Sequence, residues 1–124
     1  MVSAVDQVEL TSTESPILPA GKFFSAGATK FWLKGVTYGT FRPDDSGVAY
    51  RRELVERDFA LMAANSINTV RVYTVPPRWL LDRAAAYGLR VLVGLAWEQH
   101  VAFLDVPGLQ AEILRRIEAD VRSC

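Results

Sequence analysis

Apolar and polar positions recur along the chain with two different periods, and each period predicts one kind of element. Apolar side chains at helical spacing occupy residues 51–65, 78–87 and 109–121. Short apolar runs rich in β-branched side chains, which are typical of strands, occupy residues 31–38, 67–73 and 89–95. The pattern therefore predicts three successive strand–helix units.

A polar leader and a hairpin are predicted before these units. Residues 1–21 are rich in Ser, Thr and Glu, contain no secretory apolar run, and are expected to form a flexible arm. Residues 22–26 and 31–38 are separated by a short stretch that begins at Gly27, and glycine suits the positive φ of a hairpin turn. The folded domain is thus predicted to span residues 22–124.

The alternation of strands and helices predicts an α/β fold with parallel strands joined by right-handed crossovers. A doubly wound sheet and a barrel both fit this order. Residues 38–41 after the first main strand lack a glycine-rich phosphate fingerprint, and the chain has no P-loop motif. A nucleotide-binding sheet is therefore disfavoured.

Composition and charge narrow the expected partners. The 124 residues carry 14 basic and 14 acidic side chains, so the basic excess typical of nucleic-acid binders is missing. The only cysteine is Cys124, which we interpret as an ordinary helix-end residue. No apolar stretch approaches the roughly 20 residues of a membrane span. We expect a cytoplasmic chain without a metal or cofactor, and without nucleic-acid or membrane partners.

Candidate chemistry gathers at the carboxyl ends of the predicted strands, where parallel α/β proteins carry their sites. The aromatic and polar residues there are Tyr38, Phe41, Arg71, Tyr73, Trp97, Glu98 and His100. Aromatic faces beside a few fixed polar groups suit sugar rings. These seven are the candidate substrate-binding residues, and a carbohydrate is the expected substrate. The long loop of residues 41–50 is of a kind that often carries function, although Asp44 and Asp45 are interpreted as solvated carboxylates.

Arg71 is expected to face away from the helices. It alternates with Val70 and Val72, which should pack on the helices and turn the guanidinium to the other side of the sheet. There it would either hold a catalytic carboxylate in position or form a structural ion pair. Glu98 and His100, two residues apart, would either form part of a metal or acid–base site or hydrogen-bond substrate hydroxyls.

Two segments resemble a known enzyme clan. Residues 31–38, Phe-Trp-Leu-Lys-Gly-Val-Thr-Tyr, and residues 58–73, which end Asn-Thr-Val-Arg-Val-Tyr, resemble the first two strands of retaining (β/α)8-barrel glycoside hydrolases. This clan includes β-galactosidases, β-glucuronidases and β-1,3-glucanosyltransferases. The resemblance covers about residues 22–104. It implies a partial (β/α)8 TIM barrel, made of an N-terminal hairpin and the first three βα units, from an enzyme acting on O-glycosidic bonds of a β-linked glycan.

The resemblance also implies how the chemistry is divided. Such enzymes use one glutamate as acid/base and another as nucleophile, and the arginine that Arg71 matches contacts the nucleophile. No Asn-Glu pair occurs in the chain, so both catalytic glutamates are expected to lie beyond it. The remainder of the barrel, or a second copy, would cover the open sheet edges. Ser66 stands where the clan has glycine after the helix, and a left-handed serine there costs about 1 kcal/mol.

Two other functions fit the same residues. One is a non-catalytic carbohydrate-binding or assembly module, and the other is a metal-dependent α/β hydrolase that uses Glu98 and His100. The leading hypothesis is the glycoside hydrolase or transglycosylase, with little or no turnover expected from these 124 residues alone.

Overall fold

The computed structural model describes residues 15–124, and residues 1–14 lie outside that part. The elements run in the order β1 (Ile17–Ala20), β2 (Phe23–Ala26), β3 (Thr29–Phe31), β4 (Gly35–Thr37), α1 (Arg52–Ala64), β5 (Thr69–Val72), α2 (Arg78–Ala86), β6 (Arg90–Val93) and α3 (Leu109–Ser123). They form two three-stranded sheets, one in the order β1-β2-β3 and one in the order β4-β5-β6. The first sheet is antiparallel and the second is parallel, so the described chain is a small α/β fold.

The predicted partial (β/α)8 barrel is wrong. The three βα units are present, but their strands form an open three-stranded sheet. Thr37, Arg71 and Leu92, which are neighbours across this sheet, are exposed on a face that a barrel would pack as its interior. Strand–helix alternation is common to barrels and open sheets, whereas closure depends on the number, tilt and stagger of the strands. The alternation of strands and helices therefore correctly predicted the three βα units, but it did not determine whether their strands close into a barrel.

The N-terminal sheet contains the predicted hairpin and one additional strand. Strands β2 and β3 pair antiparallel, and Gly27 in the turn between them has a φ of 58°. Strand β1 pairs with β2, although its residues belong to the segment predicted as a flexible arm. The rest of that arm, residues 1–14, lies outside the described residues.

The core lies between one face of the parallel sheet and the helices α1 and α2. Val70 and Val72 of β5 are fully buried, as are Phe59 of α1 and Leu80 of α2. Burying side chains of this size stabilises the fold by about 1.5–3 kcal/mol each. Arg71, between the two valines, is exposed, which confirms the predicted faces of this strand. We call the side of the sheet that carries Arg71 the open face.

Helices α1 and α2 end in the same way. In each, a residue with left-handed backbone follows the last turn: Ser66 after α1, with a φ of 62°, and Gly88 after α2, with a φ of 71°. The N–H of that residue and the N–H of the next donate to carbonyls three and five residues earlier, at 2.9–3.2 Å. This is the Schellman motif, and it confirms the left-handed serine expected at position 66.

Across the described residues, none of the helices has both the length and the apolar character needed to cross a membrane.

Candidate functional site

A cavity of about 540 Å³ lies between the connection from β4 to α1 and the first turns of α1. We call it the tyrosine cavity. Its aromatic and charged lining consists of Tyr38, Phe41, Arg42, Asp44, Tyr50, Arg51, Arg57 and Asp58. The volume is within the range of about 300–1,000 Å³ that is usual for ligand pockets. The cavity begins at the carboxyl end of β4, where the sequence analysis predicted the candidate residues Tyr38 and Phe41.

Three aromatic rings form a cluster on one side of the cavity. The ring of Phe41 meets Tyr38 edge-on, with centroids 4.9 Å apart, and meets Tyr50 edge-on at 5.8 Å. Such edge-to-face pairs are favourable because the positive edge of one ring faces the negative face of the other. Tyr38 is only 6 % exposed, whereas Phe41 is 43 % exposed. Tyr50 is partly buried, so Phe41 is the most accessible ring of this cluster.

A hydrogen-bond chain fixes the inner wall. The Tyr38 hydroxyl donates to Oδ2 of Asp58 at 2.8 Å, while Arg57 donates to Oδ1 of Asp58 from Nε at 3.1 Å and from Nη2 at 3.0 Å. Burial, and then the bond to Asp58, raise the pKa of Tyr38. Tyr38 is thus a neutral donor at physiological pH. Within the described residues Oδ2 of Asp58 accepts only this one hydrogen bond, so it can accept another.

The Tyr50 hydroxyl differs from that of Tyr38. It is enclosed, and no atom of residues 15–124 forms a hydrogen bond with it. Burial raises the pKa of Tyr50, so this hydroxyl also stays protonated. An enclosed hydroxyl without a partner destabilises the folded state, because its hydration is lost and not replaced.

The outer wall is a loop held by Asp44. Oδ1 of Asp44 accepts hydrogen bonds from the Ser46 hydroxyl at 2.7 Å and from the backbone N–H groups of Ser46 and Val48, both at 2.9 Å. An aspartate that binds backbone groups two to four residues later is a common way to fix a turn. These bonds, the Ser46 hydroxyl first, lower the pKa of Asp44. The exposed carboxylate expected at Asp44 therefore holds its own loop.

Arg71 in β5 and Tyr73 just after it lie on the open face and do not line the tyrosine cavity. The guanidinium carbon of Arg71 is 4.6 Å from the centre of the Tyr73 ring, and both side chains are exposed. This is a cation–π contact. Within the described part of the chain, Arg71 forms no salt bridge with a carboxylate. Its support of a catalytic nucleophile stays a prediction.

The candidate residues Trp97, Glu98 and His100 lie beyond the end of β6, the third strand of the parallel sheet. Strand β6 ends at Val93, so Glu98 and His100 do not share a strand face. Arg116 of α3 contacts both carboxylate oxygens of Glu98 at 2.5 Å and lowers the pKa of Glu98. No group of three potential metal ligands is found in residues 15–124. Since Glu98 is bound to Arg116, the hypothesis of a metal-dependent hydrolase has no support from the site.

Trp97 lies half exposed beside Phe103. The two rings meet edge-on, with centroids 5.6 Å apart, and Trp97 is 45 % exposed. His100 is exposed. The structure therefore brings together only two of the seven candidates, Tyr38 and Phe41, in one cavity.

Besides Asp44, sequence reasoning missed five of the aromatic and charged residues that line the tyrosine cavity: Arg42, Tyr50, Arg57, Arg51 and Asp58. One signal was present for the last two. Arg51, Val55 and Asp58 are separated by four and three residues, and side chains at this spacing share one face of a helix. A carboxylate on the same helix face as buried Val55 is unusual, because charged groups rarely face a core unless they are paired. No comparable signal marks Arg42, Tyr50 or Arg57.

Comparison with known proteins shows no family for this chain, since no family model and no curated protein matches it. The resemblance of residues 31–38 and 58–73 to glycoside hydrolases therefore stays a prediction. Function depends on the site more than on the fold. The proposal below is argued from the chemistry of the tyrosine cavity.

Proposed function

We propose that the tyrosine cavity binds a sugar unit of a β-linked glycan. We further propose that the chain supplies glycan binding to a glycoside hydrolase or transglycosylase acting on O-glycosidic bonds. The observation that carries the proposal is the accessible Phe41 ring at the edge of a cavity of about 540 Å³ whose wall holds charged hydrogen-bonding groups. The C–H face of a sugar packs on such a ring, while its hydroxyls reach polar groups. Oδ2 of Asp58 and the arginines of the wall are suitable partners.

The carboxylates described here support binding better than bond cleavage. A retaining glycosidase needs a general acid with a raised pKa close to an ionised nucleophile. Hydrogen bonds instead lower the pKa of Asp44 and of Glu98. The same observation favours a second candidate function, a non-catalytic carbohydrate-binding module.

We expect little or no hydrolysis of aryl β-glycosides by the purified chain, because the lowered pKa values of Asp44 and Glu98 make both carboxylates poor general acids. Chromophore release is the measurement, with the Arg71→Ala variant as the reference. Release by the unaltered chain well above that of the variant would contradict the expectation.

Binding is tested by calorimetric titration of the full chain with β-1,3- and β-1,4-linked oligosaccharides of glucose and galactose. The Phe41→Ala variant removes the accessible ring, and we expect about fivefold weaker binding, since one ring contact contributes about 1 kcal/mol. Trp32→Ala is the matched control, because Trp32 is 62 % exposed and does not line the tyrosine cavity. Failure of every oligosaccharide to bind, or an equal loss in both variants, would overturn the proposal.

A further inference from the structure

Two arginines of the tyrosine cavity have no hydrogen-bonded anionic partner. Arg42 and Arg51 both line the cavity, and neither takes part in a salt bridge or side-chain hydrogen bond within residues 15–124. The third arginine of the wall, Arg57, behaves differently, because it binds Asp58 at 3.0 Å. Guanidinium groups stay charged in proteins, so Arg42 and Arg51 keep their attraction for an anion.

The carboxylates of the same wall are already engaged. Asp58 accepts bonds from Tyr38 and Arg57, and Asp44 accepts bonds from Ser46 and Val48. Arg51 acts on Asp44 through its charge and not through a hydrogen bond. Three arginines against two aspartates give the lining an excess of positive charge. Within residues 15–124, no carboxylate of the wall is hydrogen-bonded to Arg42 or Arg51, so both guanidinium groups can bind an anionic group of a ligand.

We propose that the ligand of the tyrosine cavity carries a tetrahedral oxyanion, a phosphate or sulfate ester of the sugar, which Arg42 and Arg51 hold together. This inference rests on the proposed function of the cavity. Each guanidinium offers a planar fork of donors, and one fork already occupies both oxygens of a carboxylate. A tetrahedral ester offers three outer oxygens, so two arginines from separate positions can bind it at once. The sugar ring of the same ligand then packs on Phe41.

The test is calorimetric titration of the full chain, at constant ionic strength, with five kinds of probe. The probes are neutral glucose and galactose, their 6-phosphates, their 6-sulfates, glucuronate, and inorganic phosphate. We expect the esters to bind about tenfold more tightly than the neutral sugars, as two partly exposed charge contacts would give. The advantage should disappear in the Arg42→Gln/Arg51→Gln double variant. It should persist in Arg115→Gln, which removes an exposed arginine of α3.

The outcomes separate this inference from the proposed function. Tighter binding of the phosphate esters or of the sulfate esters would support the inference and identify which ester is preferred. Equal affinity for neutral and esterified sugars, lost in Phe41→Ala, would overturn the inference and leave the proposed function standing. Glucuronate as tight as the esters would overturn the assignment of a tetrahedral group. Arginine-dependent binding of inorganic phosphate without binding of any sugar or sugar ester would overturn the proposed function and, with it, the assignment of a sugar ester. An ester preference that survives the double variant would overturn the role of Arg42 and Arg51.

Discussion

The first and second βα units of the parallel sheet have the same design but differ in the connection between strand and helix. Residues 38–51 join β4 to α1, whereas residues 73–77 join β5 to α2. The longer connection folds over the start of α1 and encloses the tyrosine cavity. The shorter one leaves Arg71 and Tyr73 exposed on the open face. In these two units, the aromatic and charged residues at the strand end form a concave site where the longer connection folds back over them.

The largest effect is expected at Gly94, which packs against the backbone of Tyr73 at the end of the second unit. A Cβ atom added at Gly94 would lie 2.8 Å from the carbonyl carbon and 3.0 Å from Cα of Tyr73, both backbone atoms. Because backbone cannot move aside cheaply, Gly94→Ala should lower the free energy of unfolding by about 3 kcal/mol. Urea denaturation measures this change.

Gly88→Ala is the control for that substitution. A Cβ atom at Gly88 meets nothing within 4 Å, and its φ of 71° costs an alanine only about 1 kcal/mol. Equal losses in the two variants would show that the close approach at Gly94 is unimportant.

The next effect distinguishes the two tyrosines of the first unit. Tyr38→Phe removes the hydrogen bond to Asp58 and should destabilise the chain by about 1.5 kcal/mol. Tyr50→Phe removes an enclosed hydroxyl without a partner in the described chain and should stabilise it by about 1 kcal/mol. Thermal and urea unfolding measure both. Changes of the same sign in the two variants would contradict the account of the cavity wall.

A reciprocal pair of substitutions tests the matching helix ends. Ser66 and Gly88 occupy equivalent left-handed positions, and only glycine adopts that backbone without steric strain. Ser66→Gly should raise the free energy of unfolding by about 1 kcal/mol, and Gly88→Ser should lower it by about the same amount. No gain in Ser66→Gly would mean that the serine is not strained.

The smallest effect is expected after β6, where Glu98 and Arg116 form a partly exposed ion pair. Arg116 holds the pKa of Glu98 below its usual range. Since the folded pKa is the lower one, the contribution of this pair is complete above the unfolded value of about 4.3 and is lost as the pH falls through the folded value. Solvent screening keeps its contribution to stability small.

An NMR titration of the Glu98 carboxyl checks this assignment. The Arg116→Gln variant should raise the titration midpoint, because the cation is gone, while Arg115→Gln on the same helix should leave it unchanged. A midpoint that does not respond to Arg116→Gln would show that the two side chains are not paired in solution.

Local features of the fold were predictable from the sequence, and closure of the sheet was not. Helical spacing placed the first helix at residues 51–65, and α1 spans Arg52–Ala64. Alternation along β5 predicted the buried valines and the exposed Arg71, and the position of Ser66 predicted its left-handed backbone. These features depend on neighbouring residues. Closure of a barrel depends on strand number and tilt, which no local pattern encodes. Strand β1 was missed because its four residues include Pro19 and are bounded by Pro16 and Gly21, which are typical of loops.

The candidate site was predictable only where strand geometry alone determines position. Tyr38 follows β4 directly, and Phe41 lies three residues later, so both were placed at the strand end. Arg42 and Tyr50 reach the cavity through the fold of the loop at residues 41–50, which depends on the hydrogen bonds of Asp44. The sequence predicted a long loop here but did not predict which of its side chains point into the tyrosine cavity.

Mapping a bound glycan by NMR tests the central claim most directly. The isotopically labelled chain is titrated with a β-linked oligosaccharide, and amide shifts are compared between residues 38–58 and the open face. We predict that the largest shifts occur at Phe41, Tyr50 and Asp58, with Arg71 and Tyr73 unchanged. The largest shifts at Arg71, Tyr73 and Trp97 would contradict the claim that the long connection, and not the open face, forms the glycan site.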